Sequence, residues 1–188
     1  MHSFFGFPPT ITIKKAKQEA RFQLDDPKFT ELDALVIDEI SMVRADLLDC
    51  IDVFLKMVRD SKQPFGGVQM IMIGDLYQLS PVVTSMEKLF FSQEYASPYF
   101  FDAKVFQQKN FVMQFIELEK IYRQTDQKFI TILNAIRTKT LEPHHLSSLN
   151  ACVVQNISLV EEGMIYLAGT NAKVDEINQE YLDTIPSR

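Results

Sequence analysis

Two apolar segments that each end in acid constrain this fold more than anything else in the chain. The first is Leu35-Val36-Ile37-Asp38-Glu39-Ile40-Ser41, and the second is Ile73-Gly74-Asp75-Leu76-Tyr77-Gln78-Leu79. The run Ala34 to Ile37 does not alternate, so Leu32 to Asp38 reads as a buried strand. Val68 to Ile73 reads as a second one. Between them, Leu47, Leu48, Ile51, Phe54, Leu55 and Val58 recur at three- and four-residue steps, which predicts an amphipathic helix over Arg44 to Ser61. Pro64-Phe65-Gly66-Gly67 reads as a turn. Strand, helix, strand in this order predicts an α/β fold with a mainly parallel sheet flanked by helices. In such sheets ligands bind beyond the carboxyl ends of the strands, where Asp38, Glu39 and Asp75 fall.

The remainder is less regular. Residues 7–30 are mixed, with a strand-like Ile11-Thr12-Ile13 run and the bases Lys14, Lys15, Lys17 and Arg21, and read as a small appended element. Pro81 to Phe106 is rich in aromatics, with a short helix expected near Met86 to Tyr95. Phe111 to Leu118 reads as a third strand. Asp126 is placed to cap a helix whose Phe129, Ile132, Leu133 and Ile136 share a face. A weaker helix is expected over Pro143 to Cys152 and a short strand over Met164 to Leu167. Asn171 is placed to cap a last helix carrying Val174, Ile177, Tyr181 and Leu182.

Composition bounds the function classes. The 188 residues suffice for one domain or a little more, and the 46% apolar share supports a core. A net charge of −6 gives no general affinity for nucleic acid, although a local groove can still be basic. The two cysteines, Cys50 and Cys152, lie far apart and read as small buried thiols. His144 and His145 are adjacent, a spacing that cannot easily put both rings on one zinc. No apolar run approaches membrane-spanning length, so a cytoplasmic protein with no membrane partner is expected.

The chemistry follows from the acids. Asp38 at a strand end can hold Mg²⁺, usually through water. Glu39 can then orient and polarise an attacking water, which makes the pair suited to phosphate hydrolysis. Gln78 offers a neutral amide that can contact a terminal phosphate. A phosphate-gripping loop would read G-x-x-x-x-G-K-[ST]. None of the six glycines, Gly6, Gly66, Gly67, Gly74, Gly163 and Gly169, is followed by lysine. The cradle normally precedes the Asp-Glu strand, so it is expected to lie upstream of Met1. These residues alone are therefore expected to be inactive.

At this point the sequence resembles the Pif-one (petite integration frequency) family of DNA helicases, in superfamily one. The matching pieces are His2-Ser3-Phe4-Phe5-Gly6, Asp38-Glu39-Ile40-Ser41-Met42-Val43-Arg44 and Phe65-Gly66-Gly67-Val68-Gln69. They continue with Gly74-Asp75-Leu76-Tyr77-Gln78-Leu79, Tyr99-Phe100-Phe101, Tyr122-Arg123-Gln124 and Thr170-Asn171 with Asn178. One departure is Ser80, where the family usually has a proline before Pro81, and a slightly looser loop is expected there.

The resemblance implies an incomplete RecA-like P-loop NTPase fold. Residues 1–117 would form most of a first RecA-like domain, with 7–30 as a small wedge-like insertion, and 118–188 would begin a second. It implies ATP as substrate and Mg²⁺ as cofactor. It gives Asp38 and Glu39 catalytic roles, with Asp38 also the metal residue, puts Asp75 in the Mg²⁺ shell or its second shell, and makes Gln78 the γ-phosphate sensor. Arg123 becomes an arginine finger that reaches the nucleotide from the second domain. His2 and Ser3 would touch single-stranded DNA, and Lys14 and Lys15 would lie near a fork-like or structured duplex junction. Phe4, Phe5, Phe100 and Phe101 read as core in preference to base-stacking platforms. Two other readings stay open: a RecD- or relaxase-type helicase fragment, against which Phe65-Gly66-Gly67-Val68-Gln69 argues, and a non-catalytic remnant that binds DNA or a partner.

Overall fold

The computed structural model describes residues 2–153 and 165–185. The chain divides into two compact units, residues 1–119 and 120–188.

In the first unit, α1 (His2–Phe5), α2 (Ile13–Phe22) and α3 (Pro27–Thr30) precede β1 (Ala34–Ile37). Then come α4 (Ala45–Val58), β2 (Gln69–Met72) and α5 (Lys88–Glu94). The two strands pair in parallel, with Ala34 opposite Gln69 and Ile37 opposite Met72. Their order and the helix between them match the sequence reading, but their burial differs. Leu35 and Ile37 face the core, while Val36 is 57% exposed and Ile71 39% exposed. Among the described residues, only one face of this sheet is packed, so the strands alternate despite their uniform composition.

Helix α4 forms because its apolar stripe has core to bury. Leu48, Ile51, Phe54 and Leu55 are fully buried, and Leu47 and Val58 nearly so. Around Phe54 gather Phe5, Phe7 and Phe29, with ring centroids 5.4, 5.5 and 4.8 Å away in edge-to-face contact. Burying such a ring contributes on the order of 3 kcal/mol, so truncating Phe54 to alanine would cost about that much or more. Phe4 and Phe100 pack partly against this core, and Phe101 is 43% exposed, stacked on Tyr99 at 5.3 Å.

The Ile11-Thr12-Ile13 run is not a strand. The Thr12 side chain accepts from the amide of Lys15, and Ile13 opens α2, which buries Ala16 and Ala20 against α4. Three alternating residues are too few to separate a strand from a capped helix start. Phe111 to Leu118 also forms no strand. Phe111 packs on Phe106, with ring centroids 4.7 Å apart, but Val112, Phe115, Ile116 and Leu118 are exposed, and no strand pairs with this run among the described residues.

Two carboxylates on the inner side of α4 fasten the loops around it. Asp49 accepts from the amides of Lys104 and Val105 at 3.1 and 3.0 Å and from the hydroxyl of Tyr95 at 3.0 Å. Burial pushes the Asp49 carboxyl above its usual range, and these three donors oppose that rise. Asp52 accepts from the amide of Phe65 and from Lys56 Nζ. That bond holds the Pro64–Gly67 turn, where Gly66 is obligatory: a Cβ there would lie 2.6 Å from the carbonyl oxygen of Leu55.

The second unit contains α6 (Gln127–Arg137), α7 (Pro143–Asn150) and α8 (Asn171–Thr184). Asp126 caps α6 as expected, accepting from the amides of Lys128 and Phe129. Helix α8 is capped by Thr170, one residue before the expected Asn171, through a bond from the amide of Lys173. Met164 lies outside the described residues, and Ile165 to Leu167 is not in a strand. Cys50 is buried, but Cys152 is exposed, contrary to its reading as a buried thiol. No helix among the described residues is long and apolar enough to cross a membrane.

Candidate functional site

Parallel pairing sends both acidic segments to the same end of the sheet. Asp38 follows the last residue of β1, and Asp75 lies three residues past β2. Beyond the ladder the two connections stay joined: the amide of Ile73 donates to Ile37, and the amide of Ile40 donates to Ile73, each at 2.9 Å. Gly74 permits this closeness. A Cβ there would meet Ile40 Cγ2 at 2.9 Å, the Ile40 nitrogen at 3.0 Å and the Ser41 nitrogen at 3.2 Å.

Glu39 sits at φ 53°, ψ 44°, in the left-handed region. For a residue with a Cβ this costs about 1–2 kcal/mol. The strain is held by what flanks it. Asp38 Oδ1 accepts the amide of Glu39 at 2.9 Å, and Ile40, next along, is buried and bonded to Ile73. The turn thus keeps the Glu39 side chain exposed at the sheet end. Asp60 and Lys139, also charged and exposed, share this left-handed conformation, so what sets Glu39 apart is its place at the sheet end.

Asp75 organises the second turn. Its Oδ1 accepts from the amide of Tyr77 at 2.9 Å, its Oδ2 lies 3.4 Å from Gln78 Nε2, and its carbonyl accepts the amide of Gln78 at 3.0 Å. Asp38, Glu39, Asp75 and Gln78 therefore lie beyond the same end of the sheet. Hard carboxylate oxygens are the ligands Mg²⁺ takes. The described residues contain no cluster of three or more acidic, histidine or cysteine side chains. Mg²⁺ in a phosphate site is held by one or two carboxylates together with water and substrate oxygens.

The other expected site residues lie elsewhere. In the first unit, His2 is half-buried in α1, its Nδ1 3.3 Å from the carbonyl of Phe7, and Ser3 is exposed. Lys14 and Lys15 are exposed in the first turn of α2. Lys28, which the sequence did not single out, lies beside Ser3, its Nζ 4.2 Å from the Phe4 ring centre and bonded to the Phe4 carbonyl. In the second unit, Arg123 is exposed, and the next residue, Gln124, accepts from the amides of Thr125 and Asp126.

Arg44 closes the Asp38–Arg44 motif, but sequence reasoning gave it no role of its own. Its guanidinium grips Asp46 through Nε and Nη2 at 3.0 and 2.8 Å, and Nη1 donates to Glu87 Oε1 at 2.7 Å. An arginine starting a helix reads as solvated, and nothing in the sequence links it to an acid forty-three residues away.

Comparison with known proteins identifies the family. Residues 1–145 match the family model described as PIF1-like helicase. The chain is 33% identical to the mouse ATP-dependent DNA helicase PIF1 over 81% of its own length and 22% of that protein's. It is 31% identical to the Candida albicans ATP-dependent DNA helicase PIF1 over 98% of its length and 21% of that protein's. The chain thus spans about a fifth of the length of these curated relatives. Among solved structures, it resembles a Bacteroides Pif1 helicase in complex with ADP-AlF3 and single-stranded DNA, with TM-score 0.80 and 37% identity. That match covers all of this chain and 44% of the other. The Candida albicans Pif1 helicase structure matches with TM-score 0.77 and 29% identity, over 100% of this chain and 41% of that one.

Proposed function

We propose that this chain, which belongs to the PIF1-like helicase family, carries the water-activating part of an ATP-dependent 5′-to-3′ DNA helicase. The observation that supports this most is the joining of the Asp38–Glu39 and Asp75–Gln78 turns at one sheet end through Ile40, Ile73 and Gly74. In this reading Asp38 would hold Mg²⁺ through water, with Asp75 in the same shell or its second shell. The metal, when bound, neutralises phosphate charge. Glu39 accepts the proton of the attacking water, and its fixed turn keeps the carboxylate aimed at the site. Gln78 contacts the γ-phosphate and is oriented by Asp75. Residues 1–117 act as most of one RecA-like domain and 118–188 as the start of another, from which Arg123 stabilises charge on the transferring phosphoryl group.

Relatives have been captured with single-stranded DNA, and another solved relative is described in terms of DNA unwinding at forked duplex DNA. By that analogy the DNA here is a single strand contacted by His2 and Ser3, with Lys14 and Lys15 beside a duplex junction. Hydrolysis would step the protein along that strand and separate the duplex.

These 188 residues alone are expected to show no turnover, since no lysine follows any glycine to grip the β and γ phosphates. The reading is tested in a longer protein in which a Gly-Lys-Ser/Thr loop precedes residue 1. There, Arg123→Ala should cut DNA-stimulated hydrolysis on the order of 10³-fold. Binding of the same single strand should change little. Equal losses of both would make Arg123 a DNA-contact or folding residue instead.

A further inference from the structure

The loop that carries Gln78 is tied at both ends, and the second tie is Arg44. At the near end, Asp75 receives the amides of Tyr77 and Gln78. At the far end, Glu87 Oε2 accepts both the amide and the hydroxyl of Thr84, at 3.0 and 2.7 Å. The other oxygen of Glu87 takes the Arg44 guanidinium at 2.7 Å. Arg44 is itself immobilised. Asp46 binds it through two nitrogens, and its guanidinium carbon lies 4.9 Å from the centre of the Phe91 ring. The Arg44 backbone bridges Tyr99, and the next amide, Ala45, donates to Pro98 at 2.9 Å. A guanidinium committed on three sides in this way is a fixed post, unlike a solvated surface pair.

Arg44 is also the residue at which the turn bearing Glu39 gives way to α4. The same post therefore anchors the helix that leaves the first acidic turn and the loop that leaves the second. Only residues 79–83 separate Gln78 from the tied Thr84.

We propose that Arg44 is a positioning residue for nucleotide hydrolysis. It sets where the 76–83 loop ends, and through that loop it holds Gln78 in register with Asp38 and Glu39. This rests on the reading of Gln78 and Glu39 as nucleotide-site residues. Arg44 touches no substrate. It acts by restricting the arrangements the loop can adopt before the phosphate arrives, which is where small misplacements cost rate.

Two measurements test it. In the 188-residue chain, amide exchange is compared for wild type, Arg44→Lys and Glu87→Gln. Lysine keeps the charge but loses the fork. Both variants should exchange about tenfold faster at Tyr77, Gln78 and Thr84, with the α4 amides of Leu48 to Val58 unchanged. No change in the loop, or an equal rise along α4, overturns the anchor. In the longer protein with a phosphate loop, Arg44→Lys should lower kcat about tenfold and leave KM for ATP within about twofold. An unchanged kcat, or a rise in KM alone, overturns the catalytic part of the proposal. If the exchange result holds while Glu39→Gln keeps full hydrolysis, the anchor stands and the site assignment beneath it fails.

Discussion

The amide of Ile40 donates to the carbonyl of Ile73 at 2.9 Å, past the end of the two-stranded ladder. That bond joins the turn after β1 to the turn after β2, and so couples two acidic segments that are far apart in sequence. It depends on Gly74, whose missing side chain lets the backbone of Ile40 and Ser41 come close. Gly74 is not in the left-handed region, so the demand at this position is for space alone.

Gly74→Ala should therefore destabilise the first unit by about 1–3 kcal/mol, the usual cost of overpacking. Urea unfolding of this chain checks it. Because the clash takes in the backbone nitrogens of Ile40 and Ser41 as well as the Ile40 side chain, relaxation should shift the Glu39 turn, and amide exchange at Ile40 should rise with the loss of stability. An unaltered midpoint would mean the two turns are not held by this contact.

The left-handed Glu39 makes a separate prediction. Replacing it with glycine relieves the strain, whereas alanine keeps it. Glu39→Gly should be more stable than Glu39→Ala by about 0.5–1 kcal/mol, since glycine's flexibility in the unfolded chain offsets part of the gain. The reverse order, in matched thermal melts, would mean that the turn is not strained.

Acid should release the Arg44 anchor late. The Thr84 hydroxyl and then Arg44 hold the Glu87 carboxyl down to about 2, from an ordinary 4.5. A carboxyl lowered in the folded state adds stability that is fully present above its unfolded value and is lost as pH falls through the folded one. The stability difference between wild type and Glu87→Gln should be constant from pH 7 to about 5. It should shrink steadily from there toward pH 2. Paired melts across that range measure it, and a difference that is flat throughout would detach Glu87 from Thr84 and Arg44.

The sequence was legible where a pattern ran long enough to fix one geometry. The stripe from Leu47 to Val58 marked α4, and the apolar runs before Asp38 and Asp75 marked both strands. What it could not carry was context. Val36 and Phe115 are apolar, and both are exposed. For Val36 only one sheet face is packed among the described residues, and for Phe115 no strand pairs with its run, neither of which composition can reveal. Thr12 read as part of a strand because its role as a cap depends on one hydrogen bond to the amide of Lys15. Within the site, Asp38, Glu39, Asp75 and Gln78 were visible as motifs. Arg44 was visible only as the end of a motif, without its partner Glu87, and Asp49 and Asp52 were not visible, because each acts on a loop distant in sequence. Asp49 and Asp52 did leave one signal: they interrupt the apolar run from Leu47 to Leu55, where a buried acid must find donors.

The central claim is that Glu39 takes the proton of the attacking water. Its most direct test is steady-state ATP hydrolysis with saturating single-stranded DNA, in a longer protein that supplies the phosphate loop, for wild type and Glu39→Gln. The amide keeps the shape and the turn but cannot accept a proton. The expected result is a loss on the order of 10²- to 10⁴-fold in rate with ATP binding retained. Hydrolysis at the wild-type rate would contradict it and remove Glu39 from the chemistry.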